Sequence, residues 1–340
     1  MCCCLAGVAG AEPASIPIGH GVQLPAVVDL PSTSPRAVVV MVHGSGAHSK
    51  DEELGPVTEG KQPNPFFARL GAALNGQGMA VLRYDKRNYA LKDKDSPAYQ
   101  QMLDQPAQSF IADCRSALAV ARLRFPGLPV LLLGHSEGTW VSLQAAQLDG
   151  HVDGLVEIGY SAAPLGTLVL EQLVYRPLRL FDHLDKNHDR VLQPAELSPD
   201  LQRQMPVIDL DHDGQLSQSE FQAGNWSNGL ARPLISDAWR RGEAAFPDAN
   251  ALVQAATCPI VFLQGEWDNQ TPAYGVMALE LMEKQAWKKG NKHFHYFARA
   301  GHALDPRGSW EDTLFRVTPQ ATPEECARWV AEVFLPTSQP

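Results

Sequence analysis

The chain has 340 residues, 44% of them hydrophobic and 19% charged, with a formal net charge of -10. That composition supplies a full apolar core, and the length fits either two domains or one large α/β domain carrying an insertion. The acidic balance, without a Lys/Arg cluster, excludes a nucleic-acid backbone as partner, and no run is long and apolar enough to span a membrane.

The first eleven residues, "MCCCLAGVAGA", form an apolar run ending in the small residues Ala9, Gly10 and Ala11. They read as a truncated secretory signal, residues 1–11, lacking its positively charged start. A secreted or periplasmic location is therefore expected, a cytoplasmic one being the alternative. Cleavage would leave Cys114, Cys258 and Cys326, an odd number without metal spacing, as core thiols.

The elements then alternate. "RAVVVMVHGSG" is a β-branched run ending in glycines, a buried strand entering a loop. "PFFARLGAALNGQG" has helical apolar spacing and stops at Gly76 and Gly78. "MAVLRYD" is a strand, and "SFIADCRSALAVARLRF" an amphipathic helix stopped by Pro126. The strand "LPVLLLGHSEG", the helix "TWVSLQAAQL" and the strand "VDGLVEIG" follow. From about Thr167 to Asn250 the rhythm breaks into helices and acidic loops. It resumes with the strand "CPIVFLQGEWD", the helix "YGVMALELMEKQAW", the strand "KHFHYFARAGH" and the helix "TPEECARWVAEVFL". Strand–helix repetition at this spacing means a mainly parallel sheet with helices on both faces. The fold class is α/β: residues 16–166 and 251–340 form the sheet domain, and 167–250 a helical insertion.

The strand "LPVLLLG" runs into "GHSEG", Gly134 to Gly138, and then a helix. Glycines flanking Ser136 permit a sharp turn that lifts its hydroxyl above the sheet. A serine hydroxyl is a weak nucleophile at neutral pH, so a histidine must take its proton and a carboxylate must orient that histidine. Asp268 follows the strand "CPIVFLQG" and His302 follows the next one, in the order this arrangement uses. Glu266 and Asp305 are the competing acids. The developing oxyanion needs backbone donors, expected from the N–H groups of Ser45 in "HGSG" and of Glu137.

"HGSG", "GMAVLRYDKR", "GHSEG", "GEWDNQTP" and "AGHALDP" together resemble the α/β-hydrolase family, outside the insertion, and most resemble its esterase and serine-aminopeptidase-like branch. The resemblance implies acyl transfer to water through an acyl-serine intermediate. The expected activity is hydrolysis of small carboxylic esters, with a peptidase or thioesterase as the alternatives within the fold. After "YDKR" this chain continues "NYALKDKD", where the branch usually has glycine and serine.

The insertion carries "DLDHDGQLSQSEF". A twelve-residue calcium loop takes oxygen ligands from positions 1, 3, 5, 7, 9 and 12, with glycine at 6. Counting from Asp209 gives Asp211, Asp213, Gln215 (through its carbonyl), Ser217 and Glu220, with Gly214 at the turn. An upstream loop, 185–196, offers Asp185, Asn187, Asp189, Val191 (carbonyl), Gln193 and Glu196, with Arg190 at the turn. Both loops, 185–196 and 209–220, resemble EF-hands. In this fold a segment inserted there commonly caps the active site, so calcium is expected to have a structural role in that cap, with no cofactor needed for catalysis. A calcium-binding protein using the hydrolase fold only as scaffold is the rival from another class.

Overall fold

The computed structural model describes residues 8–54, 64–197, 199–230, 237–310 and 316–335. Its apolar runs become strands because each residue has a layer to bury into on its own side. The main sheet, among the described residues, is built from β1 (Val8–Pro17), β2 (Gln23–Pro31), β3 (Ala37–Val42), β4 (Met79–Tyr84), β5 (Val130–His135), β6 (Gly154–Ile158), β7 (Ile260–Gly265) and β8 (Lys292–Phe297). Their order across the sheet is β1-β2-β4-β3-β5-β6-β7-β8. From β4 to β8 the neighbours pair in parallel, while β1 with β2 and β2 with β4 are antiparallel.

Alternation along each strand divides the core in two. Val38, Val40, Val42, Leu132 and Phe262 face one side, where Phe110, Ile111 and Cys114 of the helix Pro106–Arg124 and Val141 of the helix Glu137–Asp149 cover them. Ala37, Val39, Met41, Leu131, Leu133 and Val261 face the other, under Phe67 and Leu70 of the helix Phe66–Gly76 and Cys326 and Val330 of Ala321–Phe334. Two covered faces are what continuous apolar strands require. Cys114 and Cys326 are buried free thiols and Cys258 is half-buried.

The hairpin β1–β2 extends the sheet beyond the expected elements. Within it, Gly10 pairs with Leu30 and Ala11 with Asp29. The residues Val8 to Ala11, read above as the end of a signal, thus form the start of an edge strand; residues 1–7 lie outside the described residues. No helix among the described residues is long and apolar enough to cross a membrane.

The stretch between β6 and β7 is helical, as its sequence indicates; residues 198 and 231–236 within it lie outside the described residues. It gathers its own small core from Phe181, Leu192, Leu197, Ile208, Leu216 and Phe221. Its later helix, Asp237–Ala244, packs instead on the sheet domain's helix Pro106–Arg124. There a side chain at Gly242 would meet Ala107 Cβ at 2.9 Å.

Candidate active site

The chain reverses β3 to β4 on one side and then places β5 on the other, so the loops after β3 and β5 diverge into a crevice at the carboxyl ends of the strands. Ser136 stands there, between β5 and the helix Glu137–Asp149, with φ 55° and ψ -121°. A non-glycine residue held in such a conformation stores roughly 1–3 kcal/mol of strain. The flanking glycines make the turn possible. A Cβ at Gly134 would lie 2.5 Å from the Gly138 carbonyl oxygen, and one at Gly138 would lie 2.1 Å from that of Val42. The Ser136 N–H is tied to Ile158 O at 2.9 Å, which fixes the turn to the neighbouring strand β6.

Asp268 follows β7 and is fully buried. Its Oδ1 accepts from the N–H groups of Gln270 (2.8 Å) and Thr271 (2.9 Å). Its Oδ2 accepts from Thr271 Oγ1 (2.7 Å), Gln264 Nε2 (3.1 Å) and His302 Nδ1 (2.8 Å). Burial alone would raise its pKa, but the His302 ring and the Thr271 donors outweigh burial and hold it below the ordinary carboxylate value. Gly159, at φ 61°, lets the ring pass, since a Cβ there would meet His302 Cε1 at 2.9 Å. Of the competing acids, Glu266 is exposed, and Asp305 is engaged by Arg307 Nη2 (3.1 Å) and Arg316 N (2.8 Å). His43 and His48 are engaged elsewhere, their Nε2 atoms facing Ser49 O (3.1 Å) and Ser45 O (2.8 Å), and burial pushes His43 down to about 3 and lowers His48 as well.

Ser45 and Glu137 line a cavity of ≈ 320 Å³ together with Ser136. Trp140, Trp239 and Phe246 form an aromatic wall, with Trp140 5.5 Å from Trp239 and 5.7 Å from Phe246 between ring centroids. Residues of the β3 and β4 loops pin the "HGSG" turn. Lys86 Nζ donates to Gly44 O, and Asn88 Nδ2 to Gly46 O at 3.0 Å. Asn88, which stands where the branch usually continues into glycine and serine, therefore holds the loop with its side chain.

Residues 39–313 match the profile of the Alpha/beta hydrolase family. The chain belongs to this family. Over 181 residues, 52% of this chain, it is 31% identical to the esterase EstD of Thermotoga maritima, of which that stretch covers 40%. The monoglyceride lipase of Homo sapiens is 30% identical over 130 residues, 38% of this chain and 36% of the lipase. The chain thus spans two fifths or less of the length of these curated relatives. Among solved structures, an esterase of Pyrococcus furiosus superposes with a TM-score of 0.53 at 14% identity, covering 97% of this chain and 91% of that one. Est1E from Butyrivibrio proteoclasticus gives 0.51 at 14% identity, covering 95% and 99%. These structural likenesses concern the fold.

Close to Ser136 of this α/β-hydrolase lies a charged pair that its sequence does not announce. Glu52, fully buried at φ 44°, accepts from Gly44 N at 2.7 Å and faces His135 Nδ1 at 3.1 Å. His135 Nε2 faces His302 O at 3.2 Å. Both partners of the imidazole offer acceptor oxygens, an arrangement that favours the protonated ring. Burial opposes each charge. The pairing overcomes it, holding Glu52 down at about 2 and His135 above its ordinary value. Thr271 and Gln264, the further partners of Asp268, were also not singled out from sequence.

The two acidic loops of this hydrolase lie side by side. Val191–Leu192 and Leu216–Ser217, at positions 7, 8 and 9, pair antiparallel, and both loops turn at position 6 with positive φ, Arg190 at 69° and Gly214 at 81°. In the second loop, one carboxylate oxygen each of Asp209, Asp211 and Asp213 lies within 4.8 Å of the others. Asp209 is 7% exposed, and its Oδ1 is buried without a hydrogen-bond partner. Glu220 Oε1 accepts from Leu210 N (2.9 Å), and Oε2 from Ser217 Oγ (2.6 Å); Gln215 N bonds Asp213. This donor set, hard and anionic with one orphaned oxygen, fits a calcium ion. In the first loop Asp185 accepts from Asp189 N and Arg190 N, and Glu196 from Lys186 N. The amides of Asn187 (2.9 Å) and Gln193 (2.6 Å) both donate to Asp189 Oδ2, and Val191 N to its Oδ1. That carboxylate is already engaged by neutral donors, so the first loop fits less well.

Proposed function

We propose that the protein is a serine esterase acting on small carboxylic esters. The observation that carries this is the 2.8 Å contact of His302 Nδ1 with Asp268, beside a strained Ser136 that opens on the cavity. Ser136 Oγ attacks the acyl carbon while its proton passes to His302 Nε2. Asp268 keeps the proton on Nδ1 and stabilises the imidazolium that forms. The Ser45 and Glu137 N–H groups bind the oxyanion. His302 then protonates the leaving alcohol, and the same histidine activates water to release the acid. The printed names of the relatives, an esterase and a monoglyceride lipase, support ester over thioester or peptide substrates.

The insertion acts, in this reading, as a cap whose loops hold calcium as a structural ion. Asp209, Asp211, Asp213, Ser217, Glu220 and the Gln215 carbonyl would hold the tighter ion; Asp185, Asn187, Asp189, Gln193, Glu196 and the Val191 carbonyl would hold the weaker one. Bound calcium supplies charge neutralisation and order to a segment with a small core of its own.

The test is a panel of ester, thioester and aminoacyl-anilide substrates, with fluorophosphonate labelling of wild type, Ser136→Ala, Asp268→Asn and Glu266→Gln. Esters should be turned over fastest. Ser136→Ala should lose labelling and several orders of magnitude in turnover. Asp268→Asn should lose about 10⁴-fold in kcat, while Glu266→Gln stays near wild type. Failure of native protein to label in the presence of calcium would instead favour a scaffold without hydrolase activity.

A further inference from the structure

The backbone unit Gly44 sits between two buried charges. Its N–H donates to Glu52 Oε1, and its carbonyl accepts from Lys86 Nζ. The same ammonium donates to Glu137 Oε1 at 2.9 Å and stands 4.5 Å from the Phe110 ring centroid. It is a closed environment: the Lys86 side chain is 6% exposed and that of Glu137 4%. Lys86 is not among the residues lining the cavity that Ser136 opens on.

Among the described residues the peptide bonds are trans. In a trans peptide the carbonyl and the N–H point in opposite directions. The Gly44 carbonyl belongs to the peptide whose N–H is that of Ser45. Turning this carbonyl toward Lys86 turns the Ser45 N–H away from Lys86, and Ser45 faces the cavity with Ser136. The second oxyanion donor, the N–H of Glu137, belongs to the residue whose carboxylate grips Lys86.

We propose that Lys86 is a positioning residue for the oxyanion hole: its ammonium fixes the plane of the Gly44–Ser45 peptide and ties it to Glu137, so that both donors are held before substrate arrives. An ammonium suits this task better than a neutral donor. A charge-assisted hydrogen bond to the carbonyl is stronger and polarises the peptide, which makes the N–H at its other end a better donor. Burial matters as well, because a preorganised donor strengthens catalysis only where water cannot compete. The departure of this chain from the usual continuation after "YDKR" reinforces the clamp, since Asn88 holds the next carbonyl but one, that of Gly46.

The proposal rests on the triad reading, and the experiment separates the two. Lys86→Met keeps the unbranched stem of the side chain, one atom shorter, and removes the ammonium. Because it strands the buried Glu137 carboxylate, Lys86→Met/Glu137→Gln is made beside it and removes both charges. Steady-state kinetics on a short p-nitrophenyl ester are measured with the inhibition constant of a trifluoromethyl ketone, whose adduct with Ser136 places an oxyanion in the hole. Near-UV circular dichroism checks the fold. A shift of the donors by about 1 Å should lower kcat about 10²-fold in the double variant, with KM changed by less than about threefold. The ketone should lose affinity by a similar factor. The proposal is overturned if the natively folded double variant keeps kcat within about threefold of wild type, or if the loss falls on KM alone. In that case Lys86 serves only to neutralise Glu137. Ser136→Ala guards the underlying reading: an active Ser136→Ala sinks the triad, whereas an inactive one beside an active double variant sinks Lys86 alone.

Discussion

Glu52→Gln should destabilise the protein most at mildly acidic pH. The pair it breaks is fully buried, Glu52 being inaccessible and His135 2% exposed, so solvent screening gives no discount. Holding the Glu52 carboxyl at about 2 instead of 4.5 corresponds to roughly 3 kcal/mol. That falls at the low end of the ~3–5 kcal/mol expected when one partner of a buried pair is removed. A chain of 340 residues unfolds with an entropy of about 0.7 kcal/mol/K, so the melting temperature should fall by about 4 °C. The pH dependence has two arms. The folded pKa of Glu52 is depressed, so its contribution is complete above the unfolded value of 4.5 and is lost as pH falls toward about 2. The folded pKa of His135 is raised, so its contribution is complete below the unfolded value of 6.5 and is lost as pH rises through the folded value. The difference in melting temperature between wild type and Glu52→Gln should peak between pH 4.5 and 6.5 and shrink on both sides. Thermal unfolding followed by circular dichroism from pH 3 to 9 measures it. A difference that stays flat across that range, or a variant as stable as wild type within the window, would refute the buried ion pair.

Gly159→Ala should lower kcat by about 10-fold to 10²-fold while leaving KM near wild type, because the new Cβ must displace the His302 ring it meets at 2.9 Å. Its cost in stability, about 1 kcal/mol for a side chain at positive φ, is a melting shift of only 1–2 °C on the same scale, so a kcat within twofold of wild type contradicts the assigned position of the histidine. Calorimetric titration with calcium should show a tighter site abolished by Asp209→Ala/Glu220→Gln and a weaker one abolished by Asp185→Ala/Glu196→Gln, since the second loop carries one more carboxylate and a glycine at its turn. Chelation should lower the melting temperature by mass action; uptake of no calcium at all, or loss of the tighter site in the first-loop variant, overturns the reading of the insertion.

The chemistry-bearing turns were legible because they are local. A strand ending in glycine, serine, glycine and then a helix specifies the turn at Ser136 almost by itself; Asp268 follows a continuous apolar strand, and His302 follows one that alternates polar and aromatic residues. The antiparallel hairpin was not legible. Val8–Pro17 contains two prolines and is an edge strand, and Gln23–Pro31 buries alternate residues, so neither shows the continuous apolar run of a central strand. Least legible were the buried charges. Glu52 and His135 are 83 positions apart, and Lys86 and Glu137 are 51 apart. In sequence each is an ordinary polar residue; only the fold, bringing the ends of β3, β4 and β5 together, turns them into pairs. Trp239 was hidden for a related reason, since it sits within a helix of the insertion yet packs on the sheet domain's Phe110 and on Trp140.

The acidic, metal-loop-like insertion has a mechanical explanation in the contacts it makes. The helix Arg176–Leu184 leads into the first loop. It places Phe181 in the insertion's own core, against Phe221, and lays Arg179 4.5 Å from the Trp310 ring centroid. The Trp310 carbonyl accepts from Asn269 Nδ2 at 3.0 Å, next to Asp268. One turn earlier, Gln172 donates to the carbonyl of the next residue in the same loop, Gln270, at 3.1 Å, and Glu171–Tyr175 packs against the helix Gln218–Leu230 that leaves the second loop. Gln172 also lines the cavity, with Leu168 beside it. The insertion therefore meets the sheet domain at the pocket wall and at the residues that follow Asp268, whose carboxylate contacts His302. Among the described residues the insertion's own core is small, six buried apolar side chains with Leu180, Leu184, Leu201 and Met205 packed against them, and small cores are the condition under which small modules recruit a metal. Order in the two loops is on this account order in the Asp268 loop, and its loss would be felt in turnover as well as in substrate binding.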